Sequence, residues 1–208
     1  MSGGGNSAAK AANEQEQQRQ ASIARTQSAV NAVFDNPQRA ADIQDFVNAT
    51  RDYYLQDLNQ QKADADRGLK FALAKSGLTG GSTQVDQQQR LGQDYSRGLL
   101  QAEQKAQGAG ASLQAADQDA RAKLISLATS GLDATTAAQQ SAAALQSNIE
   151  SSESQAKLAS LGDAFADANT FVQQAKDAQQ RRQGYYSVAG GARTALYGGT
   201  SSMYGGGA

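Results

Sequence analysis

The residues of this chain that could do chemistry are few, and their spacing argues against most of it. Carboxylates recur as pairs two apart, Asp64 with Asp66 and Asp117 with Asp119, and singly at Asp163. General acid–base or metal chemistry would need such groups to converge. Residues two apart on a helix point to different sides, so these read as solvated faces. The glycines at Gly77, Gly80 and Gly81 invite comparison with a phosphate-binding loop. That loop needs Lys-Ser/Thr directly after it and a strand before it; neither is present. The chain has no Cys and no His, which removes thiolate ligands, disulfides and the commonest general base. No catalytic residue, cofactor or metal site is expected, and the chain is read as a non-enzyme.

Charge gives as little to a nucleic-acid reading. Nineteen basic residues stand against 20 acidic ones for a net charge of -1, and the one adjacent basic pair is Arg181-Arg182. A footprint that grips phosphates needs a dense basic stripe. The N-terminus, Met1 to Asn6, lacks the charged and apolar regions of a secretory signal. The longest charge-free stretch, Ala134 to Ile149, is mostly Ala, Gln, Ser and Thr, not the ~20 apolar residues of a spanning helix.

The elements that would position any site read as helices. Hydrophobic residues make up 39% of the chain, with five Phe and no Trp, and much of that share is Ala, so a compact core is thin. Helices must then pair along their length, with copies of themselves included, to offset the entropy of ordering. A homo-oligomer is the expectation.

Ser7 to Phe34 predicts a polar helix whose packed face begins only at Ile23, Val30, Val33 and Phe34. Asp35-Asn36-Pro37 breaks it at the sole proline, with Asn36 as cap and Pro37 in the first helical position. From Arg39 to Ser76 a stripe of Ile43, Phe46, Val47, Tyr54, Leu58, Ala65, Leu69, Ala72 and Leu73 predicts a helix of ~57 Å. The helix-packing and oligomer-interface residues are expected to be Ile43, Val47, Tyr54, Leu58, Leu69 and Leu73. An eleven-residue recurrence (Val47, Leu58, Leu69) favours straight or slightly right-handed packing, and ordinary amphipathic packing gives the same pattern.

The turn Gly77-Leu78-Thr79-Gly80-Gly81-Ser82 reverses the chain, with Gly77 as left-handed cap and Gly80-Gly81 freeing the backbone. Thr83 and Asp86 read as the start of the next helix. That helix carries Leu91, Tyr95, Leu99, Ala102, Ala106, Leu113, Ala116, Ala120, Leu124 and Leu127. Its glycines at 108 and 110 predict a kink or break, and Gly131 with Asp133 predicts an end and a new cap. Ala134 to Arg182 reads as one further helix. The tail from Gly184 is Gly-rich, with Tyr185, Tyr186, Tyr197 and Tyr204 as candidate anchors. The fold class is all-α, an elongated helical hairpin of long amphipathic helices with Gly-rich termini. Its parts are 1–36 (polar helix), 37–132 (central hairpin), 133–183 (C-terminal helix) and 184–208 (Gly/Tyr tail).

Gln clusters at Gln15, Gln17, Gln18, Gln60, Gln61, Gln87, Gln88, Gln89, Gln139, Gln140, Gln173, Gln174, Gln179 and Gln180 admit two readings. They give a polar face that lets many copies pack without like-charge repulsion, or a near-neutral wall past which DNA slides.

The stretch Lys70-Phe71-Ala72-Leu73-Ala74-Lys75-Ser76-Gly77-Leu78-Thr79-Gly80-Gly81-Ser82, followed by Asp86-Gln87, resembles the small internal virion, or DNA-ejection, proteins of short-tailed bacteriophages. There too a helix ends in a Gly-containing turn with Gly-Ser, soon followed by Asp and a Gln-rich helix, and a Gly/Ser/Ala tail closes the chain. The resemblance covers Tyr53 to Ala106 in pattern and the rest in composition. It implies a protein stored in the capsid near the portal and expelled with the genome. Such a protein assembles with other ejection, portal or tail proteins into a homo-oligomeric channel for DNA across the host envelope, without sequence specificity. Family members form the outer-membrane part of that channel. This chain lacks their apolar N-terminal segment, which places it in a periplasmic or tail-adjacent ring as readily. A virion part that stays with the particle, such as a head-to-tail adaptor or tail-tube sleeve, is the alternative, and a scaffold absent from mature particles is a third.

Overall fold

The computed structural model describes residues 4–178 and 180–181, with side chains from Ala8 onward. Its four long helices are α1 (Gly4–Phe34), α2 (Pro37–Ser76), α3 (Ser82–Thr129) and α4 (Ala134–Leu158), and a fifth helical segment, α5, covers 166–178. The protein is all-α, with no strand among the described residues. The four tyrosines of the tail and the Gly-rich segment from Gly184 lie outside the described residues.

Each helix boundary has a local cause. Asn36 Oδ1 accepts from the Gln38 backbone N–H at 3.0 Å, and Pro37 opens α2 as the expected first residue. Gly77 ends α2 at φ 69°. Its N–H donates to Ala74 O and the Leu78 N–H to Leu73 O, the paired bonds of a Schellman cap. The same pattern closes α3: Gly131 at φ 105° donates to Ala128 O, and Leu132 to Leu127 O. Asp133 then caps α4 through bonds from the Thr135 and Thr136 N–H groups, both at 3.0 Å. The Thr136 side chain first, and then these backbone N–H groups, hold the Asp133 carboxyl below its usual range.

Three expectations need correction. First, α3 runs unbroken through Gly108 and Gly110. A Cβ at Gly110 would sit 2.4 Å from Val47 Cγ2, and one at Gly98 2.4 Å from Leu58 Cδ1. These two glycines admit a neighbouring side chain instead of breaking the helix. Second, α3 starts at Ser82, not Thr83, so Ser82 belongs to the helix and not to the turn. Gln84 reaches back to the Gly80 N–H at 2.6 Å, while Asp86 pairs with Arg90. Third, Ala134 to Arg182 is not one helix: α4 stops at Leu158, and the chain turns through Gly162 at φ 76°. Asp163 then accepts from the Phe165 N–H and restarts the chain toward α5.

The chain divides into two compact units. Unit 1 is Met1–Asp57 with Leu99–Leu161, and unit 2 is Leu58–Gly98 with Gly162–Ala208. In unit 1, α1 packs on α4, and Val30, Leu124 and Ala137 form a buried cluster flanked by Phe34, Ile125 and Leu132. Residues 8–22 of α1 are exposed, as its polar first half implies. Further along unit 1 the buried positions of α3 include Ala102, Ala106 and Gly110, small residues recurring every four that let a neighbouring helix approach closely, and then Leu113. In unit 2 the core is Leu58, Ala65, Leu69, Ala72, Leu73, Leu91, Phe165 and Ala168.

Candidate functional site

The expected turn is in place, though its glycines differ in role. Gly77 and Gly80 both hold left-handed backbone, at φ 69° and 80°, where a side chain would be strained. Gly81 carries no such requirement; its carbonyl accepts the Gln84 and Val85 N–H groups and so opens α3. Of the expected packing residues, Tyr54, Leu58, Leu69 and Leu73 are buried, and Ile43 and Val47 half-buried. The four buried side chains pack within the chain's own units, and Val47 meets Gly110 of unit 1. Leu99 and Leu127, expected on the packed stripe, are exposed.

The polar centre of unit 1 was not legible as such. Arg39 lies buried and donates through Nε and Nη2 to the two carboxylate oxygens of Asp117, at 2.7 and 2.8 Å. Asn148 on α4 adds a third bond to Asp117 Oδ1 at 3.0 Å. Asp117 is thus the reverse of the solvated carboxylate that its spacing suggested. A second fork joins Arg121 to Asp35 at 2.8 and 3.0 Å, with Asn31 accepting from Nε. Both forks are planar guanidinium–carboxylate pairs, which fix geometry as well as charge.

The one cluster in unit 1 that brings a phenol and an ammonium together is Tyr53, Tyr54 and Lys105. Tyr54 donates to the Ala156 carbonyl at 2.9 Å, Tyr53 to that of Lys157 at 3.4 Å, and Lys105 to that of Ser160. Lys105 Nζ stands 5.9 Å from the Tyr54 ring centre. A Tyr–Lys pair can serve proton transfer; here both phenols donate to carbonyls of the last turn of α4, and Lys105 donates to Ser160, two residues beyond it. Burial, and then the neighbouring Tyr53, pushes the Tyr54 phenol up, which keeps its proton available for that bond. The cluster therefore acts as a cap supplied from α2 and α3 of the same unit.

The remaining carboxylates are used locally. Asp64 and Asp66 pair with Arg67 and Lys70, and Asp163 starts the chain toward α5. Glu16 is drawn down to about 2 by its bonds from Arg19 and then Gln20 on the exposed face of α1. No cluster of three or more His, Cys, Asp or Glu that could hold a metal occurs among the described residues. No helix among them is long and apolar enough to cross a membrane. In unit 2, Tyr95 donates to Asn59 at 2.8 Å and takes Lys62 over its ring at 4.1 Å.

One signal for the Gly162 joint was present: Gly followed by Asp repeats the Gly131-x-Asp133 logic. The Arg39–Asp117 pair left none, because 78 residues separate its members. Compared with known protein families, with curated proteins and with solved structures, the chain matches none of them.

Proposed function

We propose that this chain is an internal virion protein of a short-tailed bacteriophage, ejected with the genome and assembled into a homo-oligomeric conduit for DNA across the host envelope. In this reading α2 and α3 form an elongated hairpin. Copies stand side by side with their amide-rich faces toward solvent or lumen. The observation that carries it is the reversal between α2 and α3. Gly77 and Gly80 take left-handed backbone within the stretch that bears the resemblance, directly ahead of Gln87, Gln88 and Gln89. The exposed amides of Gln88, Gln89, Gln139 and Gln140 suit a wall that holds no phosphate by charge.

Weighing the proteins of purified particles before and after genome release tests this. The chain should be present in full particles and missing from emptied ones. Retention in emptied particles would favour the adaptor or sleeve, and absence from full particles would favour a scaffold. Either result overturns the ejection reading.

A further inference from the structure

Two exposed features of opposite charge have no cover among the described residues of their own units. In unit 2, Phe71 projects from α2 with 64% of its surface exposed. It stands beside a cavity of about 240 Å³ lined by Gly68, Ala72, Lys75, Val172 and Lys176. Lys75 and Lys176 are exposed and pair with none of the described residues. Lys70, one position before Phe71, is already held by Asp66 at 2.7 Å.

In unit 1, Phe46, Ala49, Tyr53 and Ala156 line a hollow of about 180 Å³. Tyr53 is 44% exposed there. Asp42, Asp45 and Asp52 fall on the same side of α2 as Ala49 and Tyr53, at helical spacings of three, four and seven. Asp45 and Asp52 are exposed and, like the two lysines, pair with none of the described residues. The rim also carries Glu153 and one cation, Lys157, which Glu153 engages at 3.6 Å.

We propose that a second copy of this chain is what covers both. Phe71 of one copy seats in the hollow of the next, and Lys75 and Lys176 face Asp45 and Asp52. Charge complementarity selects this occupant, since each patch carries one dominant sign. It also excludes a two-fold contact of either patch with itself, which would set lysine against lysine or aspartate against aspartate. The contact joins two different patches, so copies either close as a reciprocal pair or continue into a larger ring or an open filament. The inference deepens the oligomeric part of the function proposed above and does not depend on ejection.

The test uses the full chain in size-exclusion chromatography with light scattering, over a range of concentration at low and high salt. The mass should exceed that of a monomer and fall as salt screens the contact. The double variant K75E/K176E, and separately D45K/D52K, should weaken self-association by at least ~tenfold with helicity unchanged. Combining all four reversals should restore it, an outcome that misfolding cannot imitate. F71S should weaken it alone. A wild-type chain that stays monomeric throughout overturns this interface and the oligomeric conduit together. A chain that oligomerises regardless of the reversals, or that the four-residue swap fails to restore, overturns the interface and leaves the conduit standing.

Discussion

Two glycines of α3 should respond to the same substitution with opposite sign. Alanine in place of a helical glycine gains about 1 kcal/mol of intrinsic propensity wherever the site has room. At Gly108 nothing beyond the adjoining backbone of its own helix lies within 4 Å of the added carbon, so Gly108→Ala should stabilise by about that 1 kcal/mol. At Gly98 the new methyl would meet Leu58 Cδ1, Cδ2 and Cγ at 2.4, 3.1 and 3.4 Å. Leu58 is fully buried, so its branched end has no open space to swing into. Overpacking of this kind costs about 1–3 kcal/mol, which turns the same gain into a net loss of up to about 2 kcal/mol. Because the propensity gain is common to both sites, the difference between the two variants isolates the steric cost. Urea unfolding followed by helicity measures it, provided the midpoint moves and the slope does not. A third comparison fixes the cause: in a Leu58→Ala background, Gly98→Ala should become stabilising, since the obstructing atoms are gone. If Gly98→Ala stabilises the native chain as much as Gly108→Ala does, the close-approach account is wrong.

Other consequences follow from the polar contacts of unit 1. Asp117→Leu leaves Arg39 buried without a counter-charge and should cost about 3–5 kcal/mol in urea unfolding. Adding Arg39→Met should recover most of that loss, because the stranded charge goes with it. Tyr54→Phe should cost about 1 kcal/mol for the lost bond to Ala156. The folded pKa of Tyr54 lies above its unfolded value of 10.0, so its contribution is complete below pH ~10 and drains away as pH rises through the folded value. The difference in stability between wild type and Tyr54→Phe should therefore shrink above pH ~10 in parallel unfolding curves.

What could be read from the chain beforehand divides along physical lines. Signals that act through the nearest backbone were legible. Asn36-Pro37, Gly77 and Gly131 with Asp133 each start or stop a helix by conformations and bonds within a few residues. The buried series Tyr54, Leu58, Leu69 and Leu73 was legible because large apolar side chains at helical spacing have one favourable place to go. The packed side of α3 was legible in part: Leu91, Ala102, Ala106, Leu113 and Leu124 are buried as their spacing implies. Its buried line also runs through Asp94, Gly98, Gly110 and Asp117, none of which announces burial by type, while the large Leu99 and Leu127 face outward. A glycine scored for propensity alone looks like a defect, and only the side chain opposite reveals that the missing methyl is a requirement. Likewise, an aspartate becomes a core residue only because an arginine on another helix reaches it.

That arginine has a further consequence. The small residues at 102, 106 and 110 repeat at four-residue intervals, so a helix lying on them would find much the same surface after slipping by one turn. Apolar contact alone discriminates poorly between such alignments. The Arg39–Asp117 fork does not repeat: displaced by a turn, it would strand two charges away from water. In a unit whose packing surface is nearly monotonous, this pair works like the single notch on a smooth key, admitting one register and rejecting its neighbours.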